Sequence, residues 1–479
     1  PVSPRVSVVC RVNLVVARTM GEDAMSAKCL AEFVGTFMLI LTVGCNVITG
    51  SPVWAVTSIA CTLMVSIYAL GGVSGANFNP AVSLALGIAK KLEWKDVGIY
   101  MGCQIAGGIC AGLVYGLALW QVFNLAPTPG FSWWQAGLAE LLYTFMLCFV
   151  VLNVACSKKH AGKNQFYGLA IGFVVVAGGY GAGHISGGCF NPAVAIGIDV
   201  SSAGLGFGWC FVYTIFEFIG AALAAVVFQV CRPEEKEEDA ECPADYEIAS
   251  KVVSEFLGTY FLVLTVGLNV IGGSKAPVFS IAASLMCMIF ALGTCSGAHF
   301  NPAVTIAIVA SGRDKCSPKD AGIYIVVQII AGIAAACTYS AMEGGKSFPL
   351  APGKGYGWAE AAVAEIMFTF LLAFVVLSVA TVESPLSEYF GLAIGSCVTA
   401  GGYAIGAVSG GSLNPAVSFG ISASHAVFGG GAGVFMNCLI YSVFEIIGGC
   451  IAAGVFMATH PSEYSKGAST EEPATAAEA

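Results

Sequence analysis

The nonapeptide Ser74-Gly75-Ala76-Asn77-Phe78-Asn79-Pro80-Ala81-Val82 is one of four versions of a single motif in this chain of 479 residues. It returns as Ser296-Gly297-Ala298-His299-Phe300-Asn301-Pro302-Ala303-Val304, with Asn301 standing 222 residues after Asn79. A looser form, Ser186-Gly187-Gly188-Cys189-Phe190-Asn191-Pro192-Ala193-Val194, returns as Ser409-Gly410-Gly411-Ser412-Leu413-Asn414-Pro415-Ala416-Val417, 223 residues on. Two halves of near-equal length therefore share one internal order, the mark of a duplicated unit. In each copy Asn is a favoured helix N-cap, and Pro suits the first helical position, where its missing N–H costs nothing. The apolar runs they open, 79–89, 191–199, 301–310 and 414–422, are too short to cross a bilayer. Each reads as a half-length helix, tolerable in a membrane only where protein or a water-filled cavity satisfies its open end.

Outward from these sites, each half contains a second repeat. Ala31-Glu32-Phe33-Val34-Gly35-Thr36-Phe37 opens an apolar run, its Glu32 standing 47 residues before Asn79. Ala139-Glu140-Leu141-Leu142-Tyr143-Thr144-Phe145 opens another, with Glu140 standing 51 residues before Asn191. Glu255 and Glu365 hold the same places ahead of Asn301 and Asn414. Long apolar runs lie near 29–49, 53–72, 97–121, 133–156, 165–184 and 206–230. They recur near 249–272, 276–294, 319–342, 357–382, 387–406 and 428–457. About 20 apolar residues cross a bilayer, so twelve crossings are expected. Three runs per inner repeat is an odd number, which makes the two repeats enter from opposite faces.

Composition points the same way. The chain is 57% hydrophobic and 10% charged, against about 25% charged residues in soluble domains. The net charge of −9 gathers in two places: Glu234, Glu235, Glu237, Glu238, Asp239 and Glu241, and Glu471, Glu472 and Glu478. Such runs read as solvated linker and tail, and no basic stripe suggests nucleic acid. Lys90, Lys91 and Lys95 follow the second run, and Lys158, Lys159 and Lys163 the fourth. With Arg5, Arg11 and Arg18 they place those loops and both termini on the cytoplasmic side. Arg313, Lys315 and Lys319 agree, while Glu383 and Glu388 leave the matching fourth loop uninformative. The nineteen cysteines fall mostly inside apolar runs, without metal-ligand or disulfide spacing. The expected organisation is a disordered leader over 1–28, a first domain over 29–230, an acidic linker over 231–248, a second domain over 249–458 and a disordered tail over 459–479.

Half helices entering from opposite faces meet near the midplane, N-terminus to N-terminus, each end carrying roughly half a positive charge. The Asn oxygen caps its own helix and leaves the amide NH₂ for the lumen. Two such donors orient a passing water, and the positive ends repel cations and protons.

These residues resemble the aquaporin, or major intrinsic protein, family, including its Ala-Glu-Phe-x-Gly-Thr helix opening and its Ser-Gly-x-x-x-Asn-Pro-Ala-Val loop. The resemblance covers about residues 29–230 and 249–458. It implies an all-α membrane protein of two aquaporin-like domains, each with six transmembrane helices and two re-entrant half helices around one pore. The pore motifs would be Asn79, Pro80 and Ala81 with Asn191, Pro192 and Ala193, then Asn301, Pro302 and Ala303 with Asn414, Pro415 and Ala416. Family channels carry a four-residue constriction, which falls here on Ile59, Gly179, Gly188 and Val194, and on Ile281, Gly402, Gly411 and Val417. Most members have arginine at the last position, and both halves here have valine. The departure implies a wide filter open to glycerol, urea, ammonia or hydrogen peroxide, unless a side chain from the loop after the third span fills the gap. Ala195 and Ser418 stand where glycerol facilitators carry Asp.

The resemblance also implies homo-oligomers, two chains supplying four pores, in the plasma membrane or an internal, vacuolar one. The partners expected are lipid, water and small neutral solutes. Glu32, Glu140, Glu255 and Glu365 are expected to accept N–H groups of the re-entrant loops rather than relay protons; Glu217 and Glu445 have no sequence-based account. His184 is matched by Ala407, His299 replaces Asn77 as a loop brace, and Cys189 beside Asn191 is a thiol that Ser412 lacks. No nucleophile–base pair, metal cluster or cofactor loop is present, so neither enzyme chemistry nor a cofactor is expected. A secondary transporter and a non-conducting scaffold on the channel fold are the competing readings.

Overall fold

The computed structural model describes residues 5–235, 244–429 and 431–467. Glu237, Glu238, Asp239 and Glu241 of the acidic linker, and Glu471, Glu472 and Glu478 of the tail, lie outside the described residues, as do the side chains of Arg5, Arg11 and Arg18. Every regular element among the described residues is helical.

The first half comprises α1 (Arg5–Thr49), α2 (Ala55–Ser74), α3 (Pro80–Ile88), α4 (Trp94–Leu119), α5 (Trp133–Val151), α6 (Tyr167–Ser186), α7 (Pro192–Ser201) and α8 (Trp209–Cys231). The second repeats the order as α9 (Ala244–Ile271), α10 (Pro277–Ser296), α11 (Pro302–Ala310), α12 (Pro318–Met342), α13 (Trp358–Ala380), α14 (Phe390–Ser409), α15 (Pro415–Phe428) and α16 (Asn437–Thr459). Among the described residues, twelve helices are long and apolar enough to cross a membrane. The other four, α3, α7, α11 and α15, have 9, 10, 9 and 14 residues and begin at the four Asn-Pro steps. α15 runs past the sequence-based end at 422, because nothing in Ala423–Phe428 breaks a helix before Gly429. α1 reaches back into the segment set apart as a leader, and Pro461–Gly467 of the tail form a 3₁₀ helix.

The chain divides into two compact units. The first holds the chain to Cys156, Tyr167–Gly179 and Gly183–Gln229; the second holds Ser157–Phe166, Tyr180–Ala182 and the chain from Val230 on.

Each span that leads into a half helix stops at the same kind of residue. Gly75, Gly187, Gly297 and Gly410 have φ of 88°, 90°, 89° and 93°, a conformation that costs glycine nothing and ends a helix by turning its N–H back onto the last turn. Those N–H groups donate to Gly71, Gly183, Gly293 and Gly406 carbonyls at 2.9–3.1 Å. The chain then folds back into the unit as a half helix.

Small residues let the half helices pack backbone to backbone. A Cβ on Gly108 of α4 would lie 2.5 Å from the Ala193 oxygen, and one on Gly197 of α7 would lie 2.7 Å from the Gly108 oxygen. The second unit repeats this crossing between α12 and α15: a Cβ on Gly332 would strike the Ala416 oxygen, and one on Gly420 would lie 2.6 Å from the Gly332 oxygen. Lipid offers no hydrophobic drive between helices, so such close contact is what holds them. Outer faces carry exposed Leu117, Phe211, Ile215 and Val363, as suits a lipid surround.

Candidate functional site

In each unit the site is built by two half helices and the loops that enter them. Each Asn uses its side-chain oxygen as an N-cap. Asn79 accepts from Ala81 N at 2.8 Å, and Asn191, Asn301 and Asn414 accept from Ala193, Ala303 and Ala416 N at 2.9 Å. The side-chain amide also reaches the opposite loop. Asn79 Nδ2 donates to the Phe190 oxygen at 2.8 Å and Asn191 Nδ2 to the Phe78 oxygen at 2.9 Å. In the second unit Asn301 donates to Leu413 O and Asn414 to Phe300 O, at 2.8 and 2.9 Å. The NH₂ is therefore not wholly given to the lumen. One amide hydrogen of each Asn is spent on tying the two half helices together.

These exchanges need carbonyls aimed at the opposite half helix, and the backbone is strained to aim them. Phe78, Phe190, Phe300 and Leu413 have φ of 51°, 50°, 49° and 54°, a left-handed conformation costing roughly 1–3 kcal/mol in a residue with a side chain. Buried carboxylates hold it in place. Glu32 accepts from Asn77 N and Phe78 N at 3.0 and 2.8 Å, from Ser74 Oγ at 2.6 Å and from Gln104 Nε2 at 2.8 Å. Glu255 takes the matching His299, Phe300, Ser296 and Gln328 donors. Glu140 accepts from Cys189 N and Phe190 N, and Glu365 from Ser412 N, Leu413 N and Ser409 Oγ.

Glu217 and Glu445, unexplained by sequence, complete this bracing. Glu217 Oε1 accepts from Asn191 N at 2.8 Å, and Glu445 Oε1 from Asn414 N at 3.0 Å and Ser418 Oγ at 2.9 Å. Their signal in the sequence was their recurrence in the last span of each half. Their partners lie 26 and 31 residues away, beyond the reach of any helical periodicity.

In the second unit a cavity of about 410 Å³ runs past Asn301 and Asn414 and is also lined by Ile281, Gly402, Gly411 and Val417. The two glycines face each other, a Cβ on Gly411 falling 3.4 Å from the Gly402 Cα. In the first unit a Cβ on Gly188 falls 3.6 Å from the Gly179 Cα, with Ile59 half-buried and Val194 buried.

The chain belongs to the major intrinsic protein family. The family's sequence profile matches residues 20–228 and 243–456, with a shorter match over 169–271. The chain is 31% identical to the probable aquaporin NIP4-2 of Arabidopsis thaliana, over 44% of this chain and 77% of the relative. It is 30% identical to Aquaporin AqpM of Methanothermobacter marburgensis, over 44% of this chain and 99% of the relative. It is 36% identical to the glycerol uptake facilitator protein-like 6 of Lactiplantibacillus plantarum, over 43% and 99%. Among solved structures it is similar to the aquaglyceroporin from Plasmodium falciparum, at 23% identity, 44% and 96% coverage and a TM-score of 0.38. The family and the twelve apolar spans make this an integral membrane protein of two aquaporin-like domains.

Within the family frame, one contributor beside the filter glycines was missed in the sequence and a second was left open there. A Cβ on Gly402 would strike Val278 at 2.5 Å, and one on Gly179 would strike Val56 at 2.6 Å. These valines stand three residues before Ile281 and Ile59, on the same face of α10 and α2, and fill part of the space the glycines leave. The second contributor is the loop after the third span. Phe348, Pro349, Leu350 and Ala351 line the second cavity, held by Asn437 Nδ2 donating to Leu350 O and Gly353 N to Val408 O. Its first-half copy, Phe123-Asn124-Leu125-Ala126, buries Leu125 as Leu350 is buried.

The remaining singled-out residues fall as follows. His299 lines the cavity and shares a hydrogen bond with Thr305 Oγ1 through Nδ1 at 3.1 Å, where Asn77 Nδ2 donates to Ser83 Oγ. Ser412 lines the cavity and meets Ser418 Oγ at 2.7 Å. His184 packs edge-on against Phe131, with ring centroids 5.8 Å apart.

Proposed function

We propose that each half of the chain is a passive pore for water and small uncharged solutes, glycerol, urea, ammonia or hydrogen peroxide among them. Paired Asn-Pro-Ala half helices and a wide, arginine-free filter would set its selectivity. The observation that carries this reading is the second-unit cavity, which passes both capping asparagines and all four filter positions without a charged side chain in its lining. Relatives named as aquaporins and as a glycerol uptake facilitator support the passive channel.

Asn301 and Asn414 each keep one amide hydrogen for a solute, while the two positive half-helix ends of the pore disfavour cations. Val417 supplies no donor to strip water and no charge. Val278 and Leu350 narrow the opening that Gly402 and Gly411 create, so the filter selects small neutral molecules by shape and by a mainly apolar wall. The same reading places the chain in a plasma or vacuolar membrane with cytoplasmic termini, two chains supplying four pores. Channel families of this kind move solutes without chemistry, so no catalytic role is assigned.

The test is osmotic shrinkage of proteoliposomes followed by light scattering, with sucrose, glycerol and urea as successive osmolytes. Fast shrinkage in sucrose followed by re-swelling in glycerol or urea is expected. Saturable uptake that depends on an ion gradient would point to a transporter instead.

A further inference from the structure

The segment after the last span of each half repeats a short pattern outside the pore motifs. Arg232-Pro233-Glu234-Glu235 follows α8 as His460-Pro461-Ser462-Glu463 follows α16, and both stretches turn into 3₁₀ helices at their prolines. In both, the final Glu captures a backbone N–H of the loop between the fourth and fifth spans. Glu235 Oε1 accepts from Lys158 N at 2.6 Å, and both oxygens of Glu463 accept from Glu383 N at 3.2 Å.

In the second half the capture extends to the base of a half helix. Arg313, three residues after α11, is almost wholly buried and pairs with Glu463 at 3.3 Å. Its guanidinium donates to the Thr381 carbonyl at 3.2 Å and to the Thr381 hydroxyl, and lies 4.1 Å from the Phe456 ring centroid. Tyr464 OH donates to the Ser311 carbonyl at 2.7 Å. Glu463 thus ties together the C-terminal ends of α11 and α13 and the loop to α14. α11, α13 and α14 supply Val304, Leu372 and Val376, and Ile394 and Val398 to the cavity wall, with Asn301 as the cap of α11.

We propose that Glu463 is a positioning residue for transport: the tail is a strap that keeps the α13–α14 loop and the foot of α11 in the conducting arrangement of the second pore. This rests on the channel reading above. Releasing the strap frees the loop that joins two pore-wall helices, and flux through that pore falls.

The experiment uses the full chain in proteoliposomes, with the first pore plugged by I59W, and compares the parent with E463A and E463Q. Water flux and the amide hydrogen exchange of peptides covering 381–389 are both read. E463A is expected to lower flux severalfold and speed exchange of those amides. E463Q, which keeps an acceptor for the Glu383 N–H, is expected to fall between E463A and the parent. Faster exchange with parental flux would overturn the proposal, and so would unchanged exchange. If E463A does not fold, T381V, which removes the hydroxyl partner of Arg313, is read in the same way. A parent that passes no water contradicts the channel reading itself, whereas a conducting parent with an indifferent E463A contradicts only the strap.

Discussion

A carboxylate inside a membrane is costly unless it is paired or hydrogen-bonded, and each half of this chain places two such groups, Glu140 with Glu217 and Glu365 with Glu445, around one loop. Glu365 and Glu445 share the task of holding Ser412, Leu413 and Asn414, so that the strained Leu413 carbonyl meets Asn301. E445A leaves the Asn414 N–H and the Ser418 hydroxyl without that acceptor. It is expected to cost about 1–3 kcal/mol, read as a lower unfolding midpoint in detergent; an unmoved midpoint would contradict the bracing role. At the filter, the pair of substitutions V194R and V417R places there the charge that the family resemblance implies for this position. Glycerol flux is expected to fall by at least about tenfold, a barrier change of ~1.4 kcal/mol, while water flux persists. Equal loss of both would show that these valines do not discriminate between solutes.

At the scale of the element, the half helices were legible because their start signals are local. Asn as N-cap and Pro at the first position stand side by side in the sequence, and the four helices begin there. N301A is expected to cost about 0.5–2 kcal/mol for the lost cap, and to free the Leu413 carbonyl as well. Differential scanning fluorimetry on the purified chain measures it. The crossings that seat these helices were not legible. Gly332 and Gly420 lie 88 residues apart, and only their meeting in space shows that a side chain would strike the opposite backbone. G332V should therefore destabilise the second unit by roughly 1–3 kcal/mol through overpacking, whereas valine at the open Gly322 should not. Equal stability of the two variants would remove the close-approach argument. The cross-loop amide bonds were hidden for the same reason, since Asn79 and Phe190 are 111 residues apart.

At the scale of the whole molecule, the doubled repeat carried the most information. Self-similarity at offsets of 222 and 223 gave the two halves, because a repeated unit must repeat its fold; the apolar runs gave the number of spans, the inner repeat their inverted order, and the motifs the family resemblance. The cavity wall was read less completely. Ile281, Gly402, Gly411 and Val417 were placed by family counting, but Val278 and Leu350 enter through helix rotation and loop packing, which spacing does not encode. Under the proposed function each half is an independent pore of the same filter chemistry, and single plugs test that directly. Proteoliposomes carrying the unmodified chain, I59W, I281W and the double variant are compared for water and glycerol flux at equal protein load. The account predicts that each single plug removes a share of the flux, that the two shares sum to the whole, and that the double variant matches empty liposomes. Full flux in the double variant, or loss of all flux from one plug alone, would contradict it.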